Sequence, residues 1–370
     1  MRPSDVVELS LGENYRAIII SDIHGADDLF TELLAKCEYD PLNDWLFIIG
    51  DIVEKGTQSL QTLEHIMELS QNGRCVVLQG NNDTYPLWLL SDADEEKVKN
   101  YLVRRRSDKS LWLVRDMADA IGIECTDCYQ EPARKAIWER FNRQLRWIEN
   151  LPVAIETEEF LISHSGIDTA DWRNLERKDL LFNHEFIYRG SSPNEKWSIA
   201  GHMPVINIPE SKAGHNVLVL EERRIIATDG GLADKSCGQL NALIVYRDGG
   251  ATEFANVFRD RHPTASVLSD YEPEPCEYGF IKSVWPDFDI EVLEEGQYFS
   301  VCKTNNGKIG MLKNEHIDAQ RKTVLCNSNS HFLHVRSGDI VYVIDGSCEG
   351  YSFVKNKKGT LGWIPNHCIK

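Results

Sequence analysis

Five short apolar runs in this sequence each end close to a side chain that can bind a metal ion. The runs are AIII at 17–20, WLFII at 45–49, CVVL at 75–78, FLIS at 160–163 and SIA at 198–200. Runs this short and continuous are typical of strands that are buried on both faces. Helical periodicity at 28–37 and 59–70 separates the first three runs, so the pattern predicts parallel strands with helices on the faces of the sheet.

The polar residues after these runs are the candidate ligands. They are Asp22 and His24, Asp51, Asn81, His164, and His202. Ligands of parallel sheets bind at the carboxyl ends of the strands, so we expect these side chains to lie close together. Asp22 and His24 are two residues apart, and side chains with that spacing in an extended segment point to the same face.

The charge and cysteine content narrow the class of protein. The 58 acidic and 40 basic residues give a net charge of −18, which argues against a nucleic-acid partner. No run reaches the ~20 apolar residues of a membrane span, and the first residues do not resemble a signal peptide, so we expect a cytoplasmic protein without a membrane partner. The ten cysteines are scattered, which favours reduced thiols, and the lone pair Cys125 and Cys128 is weak evidence for zinc, so its role stays open.

The candidate ligands suit the hydrolysis of a phosphate ester. Two divalent cations ~3.5–4 Å apart neutralise the phosphoryl oxygens and supply a metal-bound hydroxide. Asp51 is placed to bridge the two ions, with Asp22 and His24 completing the ligands of the first. The second would take Asp51, Asn81, His164 and His202. This mixed ligand set favours Mn²⁺, with Fe or Zn²⁺ as alternatives.

Five motifs, in this order, resemble those of the calcineurin-like metallophosphoesterases: SDIHG, GDIVEKG, GNND, SHSGI and AGHMP. Within that superfamily the series is similar to bacterial PPP-type serine/threonine protein phosphatases and to symmetrical diadenosine tetraphosphatases. The resemblance covers about residues 15–255. It implies an α/β fold, namely a metallophosphoesterase-type β-sandwich flanked by helices, with a dinuclear metal centre.

Three departures from the family pattern concern the groups that hold substrate and move protons. Lys55 stands where the family has an arginine, and it keeps the charge but loses the planar fork. Asn82 stands where the family has the histidine taken as the general acid, and an amide cannot titrate. His184 replaces another arginine, and Arg189 follows it. We predict Lys55 and Arg189 as phosphate-binding residues and Asn82 and His184 as the catalytic positions, with His184 either a relocated acid or a structural histidine.

The C-terminal part of the chain has a different pattern. Proline and acidic residues become dense at 261–279, which predicts a linker between a metallophosphoesterase domain at 1–260 and a β-rich region at 280–370. That region resembles Src-homology-3-like barrels, and its internal similarity predicts either one barrel or two units at about 280–318 and 319–370. Most of the aromatic shelf that binds proline-rich peptides is missing, although a protein partner of another kind fits the pattern.

Three functions remain open at this point. The first prediction is a metal-dependent phosphoesterase that acts on phosphoserine or phosphothreonine in proteins. The alternatives are a nucleotide or dinucleoside polyphosphate hydrolase or phosphodiesterase, and a binding or scaffold protein on a catalytically weakened phosphatase fold.

Overall fold

The computed structural model describes residues 5–91, 94–106, 113–124, 130–318 and 320–369. Cys125 and Cys128 therefore lie outside the described residues. The chain forms two compact units. Unit 1 comprises Met1–Pro204, Val217–Ala233 and Leu240–Arg259, and unit 2 comprises Val205–Asn216, Asp234–Gln239 and Asp260–Lys370.

Unit 1 alternates strands and helices. Its strands are β1 (Val6–Glu8), β2 (Tyr15–Ile20), β3 (Trp45–Ile49), β4 (Cys75–Leu78), β5 (Ala154–Glu156), β6 (Phe160–Ser163), β7 (Trp197–Ala200), β8 (Leu218–Leu220), β9 (Ile225–Ala227), β10 (Leu240–Asp248) and β11 (Ala251–Arg259). Its helices are α1 (Asp27–Lys36), α2 (Ser59–Leu69), α3 (Tyr85–Leu90), α4 (Glu95–Arg106), α5 (Leu113–Asp119), α6 (Glu131–Arg140), α7 (Asn142–Glu149), α8 (Arg177–Leu181) and α9 (Phe186–Arg189).

The strands of unit 1 form two sheets. One has the order β11-β10-β2-β3-β4, in which β2, β3 and β4 are parallel. The other has the order β1-β5-β6-β7-β9-β8, in which β6, β7 and β9 are parallel. The five apolar runs are therefore strands, as the sequence predicts. β9 pairs parallel with β7 and antiparallel with β8.

Two layers of apolar side chains hold these sheets in place. Ile19 of β2 and Ile199 of β7 belong to one buried cluster that joins the inner faces of the sheets. Ile18 points the other way and packs with helix residues such as Leu33 of α1. Burying each such side chain stabilises the fold by about 1.5–3 kcal/mol. The result is the predicted sandwich with helices on its outer faces, which brings the carboxyl ends of β2, β3 and β4 to one edge.

Unit 2 is all-β apart from short 3₁₀ turns. Its strands are β12 (Thr264–Ser266), β13 (Lys282–Ser283), β14 (Ile290–Glu294), β15 (Phe299–Thr304), β16 (Ile309–Lys313), β17 (Ile317–Asp318), β18 (Thr323–Val324), β19 (Ser328–Asn329), β20 (Ile340–Asp345), β21 (Tyr351–Asn356) and β22 (Leu361–Pro365). The larger sheets have the orders β12-β20-β21-β22 and β14-β15-β16. The predicted β-rich tail is confirmed, whereas its Src-homology-3-like identity stays a prediction.

The stretch predicted as a linker carries structure of its own. β12 pairs with β20 in an antiparallel register, and Val267 is buried in the core of unit 2. Ile206 and Cys237, from two segments that interrupt unit 1 along the chain, share a buried cluster with Phe353 and Trp363. The domain boundaries near 260 and 280 stay predictions. In the described ranges, every helix is too short or too polar to cross a lipid bilayer.

Candidate metal centre

Four of the six predicted ligands have an unusual backbone conformation. Asp22, His24, Asp51 and His202 have φ values of 55°, 50°, 53° and 66°, in the left-handed region. Residues other than glycine are held there at a cost of order 1–3 kcal/mol each, and such strain is concentrated at functional sites. Backbone hydrogen bonds oppose the strain, since the His24 N–H donates to the Asp51 carbonyl at 2.9 Å.

The carboxylate of Asp51 lies between two groups of potential ligands. Its Oδ2 is 3.6 Å from Nε2 of His24, and its Oδ1 is 3.4 Å from Nε2 of His164. Asp22, His24 and Asp51 bring one donor atom each within 4.8 Å of one another, and all three residues are buried. Each oxygen of Asp51 therefore faces a different set of donors, which is the arrangement that a bridging carboxylate requires.

The second set of donors is tightly grouped. The Oδ1 of Asn81 is 2.9 Å from Nε2 of His164 and 2.9 Å from Nδ1 of His202, and these two nitrogens are 3.2 Å apart. The other ring nitrogen of His164 donates to the Ile49 carbonyl at 3.0 Å, which leaves the Nε2 lone pair directed into the site. A backbone carbonyl commonly fixes the tautomer of a metal-binding histidine in this way.

These residues fit a divalent cation pair. Donors about 2.1 Å from an octahedral ion and at right angles to each other lie about 3.0 Å apart, close to the spacings seen here. Without a cation, Oδ1 of Asn81 and the Nε2 lone pair of a neutral His164 are two acceptors that face each other at 2.9 Å. Carboxylate, imidazole and amide donors without sulfur suit Mn²⁺, Fe or Zn²⁺.

Burial and close charges shift the pKa values of the cluster. Burial and then the charge of Asp51 raise the pKa of Asp22 well above its ordinary value. Burial opposes ionisation of Asp51 too, but the imidazoles and Lys55 outweigh it and hold the pKa of Asp51 below its ordinary value. Burial, and next the His164 ring, lower the pKa of His202 to about 3. The cluster thus favours a neutral His202, the form that binds metal.

Asn82 contacts the carboxylate of Asp51, the residue predicted to bridge the two ions. Its backbone N–H donates to Oδ1 of Asp51 at 2.8 Å, and its side-chain amide donates to Oδ2 at 2.6 Å. Asn82 is also buried, with 4% of its surface exposed. The structure therefore gives Asn82 a contact that orients Asp51. A catalytic role for Asn82 stays a prediction.

His184 lies against one of the predicted ligands. Its Nδ1 is 3.1 Å from Nε2 of His202, and the ring centroids are 4.5 Å apart. If His202 binds metal through Nδ1, its Nε2 carries the proton and donates it to His184. Nδ1 of His184 then accepts this hydrogen bond, so the contact orients His202 and leaves the proton of a neutral His184 on its Nε2.

The two predicted phosphate-binding residues lie in different surroundings. Nζ of Lys55 is 3.4 Å from Nε2 of His24, so its charge lies at the edge of the donor cluster. The side chain of Arg189 is 83% exposed and its Nε is 3.4 Å from a carboxylate oxygen of Glu185. Among the described residues, Lys55 contacts the donor cluster through His24, whereas the ion pair of Arg189 is with Glu185.

Two features of the site escaped the sequence analysis. Asp83 is fully buried, and its carboxylate accepts hydrogen bonds from the backbone N–H groups of Ile52, Val53 and Gly80. Burial and then the Asp51 charge raise the pKa of Asp83 to about 7. The acidic residue that ends GNND was the available signal. The carboxylate of Asp83 connects the loops after β3 and β4, which carry Asp51 and Asn81.

The second feature that the sequence analysis missed is the set of glycines that precede the ligands. A Cβ atom on Gly80 would lie 2.1 Å from the backbone nitrogen of Asp51, and one on Gly201 would lie 2.3 Å from Oδ2 of Asp22. These distances are far below van der Waals contact, so the donor loops can approach each other only because both residues are glycine. The repeated pattern of glycine before a ligand was visible in the sequence.

A helix-flanked β-sandwich, with a buried aspartate between two donor sets at the edge of its parallel strands, defines a metallophosphoesterase-type centre. The chain belongs to the calcineurin-like phosphoesterase family, whose model matches residues 15–227.

The chain is also similar to named relatives and to a solved structure. The chain is 30% identical over 156 residues to a symmetrical bis(5′-nucleosyl)-tetraphosphatase of Haemophilus influenzae (strain PittEE), covering 41% of this chain and 44% of that one. It thus spans less than half the length of that relative. A protein of the same name from Dechloromonas aromatica (strain RCB) is 26% identical over 231 residues, with 54% and 79% covered. A Saccharomyces cerevisiae protein serine/threonine phosphatase with similarity to human phosphatase PP5 matches with a TM-score of 0.44, at 14% identity, over 70% of this chain and 85% of that one.

Proposed function

We propose that this protein is a metal-dependent phosphoester hydrolase with a dinuclear centre bridged by Asp51. The observation that supports the proposal is the position of the Asp51 carboxylate, whose two oxygens face His24 and His164 at 3.6 and 3.4 Å. Burying a carboxylate is costly unless opposite charge compensates it, and a pair of cations would supply that charge. Family membership supports the same chemistry.

Each ion would be held by its own set of residues, and the two sets share Asp51. The first set is Asp22, His24 and Asp51, and the second is Asp51, Asn81, His164 and His202. We expect Mn²⁺, with Fe or Zn²⁺ as alternatives, because carboxylate, imidazole and amide donors suit these ions. When bound, such a pair neutralises the phosphoryl oxygens and lowers the pKa of water to near neutrality.

The remaining residues orient the ligands and the substrate. Asn82 holds both oxygens of Asp51, and His184 accepts a hydrogen bond from His202, so each fixes a ligand in its working orientation. Lys55 places a positive charge next to His24, where it can attract a phosphate oxygen.

The same contacts bear on the class of substrate. The side-chain amide of Asn82 donates to Asp51 and cannot titrate, so the position at which the family has its acid supplies no proton to a leaving group. An alkyl ester such as phosphoserine needs a proton on its leaving oxygen, whereas a nucleotide leaves as a phosphate whose second pKa is about 6. We therefore place phosphoanhydrides of nucleotides, such as dinucleoside polyphosphates, first and phosphoproteins second. The tetraphosphatase names of the relatives support this order.

The test is a substrate panel with metal-reconstituted protein. It comprises a dinucleoside tetraphosphate, an aryl phosphate, an aryl phosphodiester and a phosphoserine peptide, each with Mn²⁺, Fe²⁺ and Zn²⁺. The Asp51→Asn variant, purified identically, measures any contaminating phosphatase. We expect the tetraphosphate and the aryl phosphate to be hydrolysed well and the phosphopeptide poorly. Preferred hydrolysis of the phosphopeptide would reverse the substrate order. No hydrolysis of any substrate by metal-loaded protein would favour the scaffold alternative.

A further inference from the structure

Unit 2 contains a second cluster of potential metal ligands that the proposed reaction does not use. His316 ends the 3₁₀ turn that follows β16, Asp345 ends β20, and Cys348 lies in the loop between β20 and β21. His316 and Cys348 are buried, at 5% and 4% exposed, whereas the side chain of Asp345 is 33% exposed. One donor atom from each of the three lies within 4.8 Å of the others.

The spacing of these atoms matches a tetrahedral zinc site. Nε2 of His316 is 3.5 Å from Oδ2 of Asp345 and 3.8 Å from Sγ of Cys348, and Sγ is 3.5 Å from Oδ2. Zinc bonds of about 2.3 Å to sulfur, about 2.0 Å to nitrogen and about 2.1 Å to oxygen place tetrahedral donors about 3.4–3.6 Å apart. All three distances agree with that geometry to within a few tenths of an ångström.

The outer atoms of two ligands are already fixed by hydrogen bonds. Nδ1 of His316 is 3.0 Å from Oγ of Ser328, which can accept the ring proton and leave the Nε2 lone pair facing the other two ligands. Oδ1 of Asp345 accepts from the backbone N–H and the hydroxyl of Ser347 at 2.8 and 2.6 Å, so Oδ2 is the oxygen aimed at the cluster. Such outer contacts orient ligands in metal sites.

A nucleophilic relay does not fit the same geometry. In a relay the acid and the nucleophile lie on different nitrogens of the histidine, whereas Asp345 and Cys348 both face Nε2 of His316. A hydrogen-bond network is the real competitor, because the Cys348 thiol can donate to Asp345. Burial and then the Asp345 charge raise the pKa of Cys348 to about 12, so the thiol keeps its proton when no cation is present.

We propose that His316, Asp345 and Cys348 bind a Zn²⁺ ion, separate from the dinuclear centre. On binding, the sulfur–hydrogen bond of Cys348 breaks, its proton goes to solvent and a sulfur–zinc bond forms. One thiolate and one carboxylate then balance the two charges of the ion, and a water fills the fourth position. The ion ties the turn after β16 to the β20–β21 loop, and so joins the two self-similar halves of the β-rich region.

Cobalt spectroscopy of the full chain distinguishes this site from the dinuclear centre. A thiolate bound to Co²⁺ gives a charge-transfer band in the near ultraviolet, and none of the six predicted ligands of the dinuclear centre is a cysteine. We expect the band in the wild type and also in Asp51→Asn. Its absence from wild-type protein that has been saturated with Co²⁺ would overturn the zinc proposal. This outcome is independent of whether Asp51 bridges a metal pair or any phosphoester is hydrolysed.

Variants then assign the band to its ligands. Cys348→Ser should abolish it, and Ser328→Ala should keep it while weakening Zn²⁺ binding about 10- to 100-fold. The matched control is Cys302→Ala, which removes another buried thiol of unit 2 whose Sγ contacts the Ser300 carbonyl. A band that persists in Cys348→Ser, or that disappears in Cys302→Ala alone, would refute the assignment. If Cys348→Ser fails to fold, the loss of Zn²⁺ affinity in Ser328→Ala, with an unchanged affinity in Cys302→Ala, still decides the assignment.

Discussion

The contact between Asn82 and Asp51 makes a quantitative prediction about metal affinity. Asn82→Ala removes the 2.6 Å hydrogen bond from the side-chain amide to Oδ2 of Asp51 but keeps the 2.8 Å bond from its backbone N–H to Oδ1. Removing an outer contact that orients a metal ligand typically weakens metal binding about 10- to 100-fold. The variant should therefore bind Mn²⁺ more weakly by that factor, which corresponds to about 1.4–2.8 kcal/mol.

Isothermal titration of metal-free protein with Mn²⁺ measures this effect directly. Asn241→Ala is the matched control, because Asn241 is a buried amide of the same unit that donates to the Thr228 carbonyl at 3.0 Å. The control should retain wild-type Mn²⁺ affinity even if it lowers the free energy of unfolding. Equal affinity in Asn82→Ala and the wild type would refute the orienting role of Asn82. A parallel loss in both variants would show that the effect comes from general destabilisation.

Variants at three further positions test other parts of the site. Asp51→Asn should lose bound metal and activity together, because one charge serves both donor sets, and full occupancy by elemental analysis would contradict the bridge. Lys55→Ala should lower kcat/KM, whereas Lys55→Arg should preserve or raise it through a two-point contact with phosphate; an unchanged value in Lys55→Ala counts against a role in binding. Asp83→Ala leaves three buried backbone N–H groups without their acceptor, at about 1–3 kcal/mol each. Its free energy of unfolding in urea with chelator should fall by at least about 3 kcal/mol, and a fall below about 1 kcal/mol would show that other groups replace the carboxylate.

The strand pattern was predictable because it depends on local properties. A continuous apolar run such as 17–20 or 45–49 can only be buried on both faces, and parallel strands bring their carboxyl ends to one edge. That reasoning predicts that Asp22, His24 and Asp51 lie together, and the structure places their donor atoms within 4.8 Å of one another.

Other features depend on contacts between distant segments, which a local pattern does not encode. The direction of β9 is set by its neighbour β7, and β12 forms by pairing with β20, about 75 residues further along the chain. The contact of His184 with His202, and that of Asn82 with Asp51, depend on side-chain directions that only the packed loops determine. The cluster of His316, Asp345 and Cys348 likewise joins two stretches with no recognisable ligand spacing.

The most direct test of the dinuclear centre is anomalous diffraction from crystals of the full chain saturated with Mn²⁺. We predict two anomalous peaks at the edge of the parallel strands, about 3.5–4 Å apart, with one oxygen of Asp51 bound to each. A single peak, or two peaks of which only one contacts Asp51, would contradict the bridging role on which the proposed reaction rests.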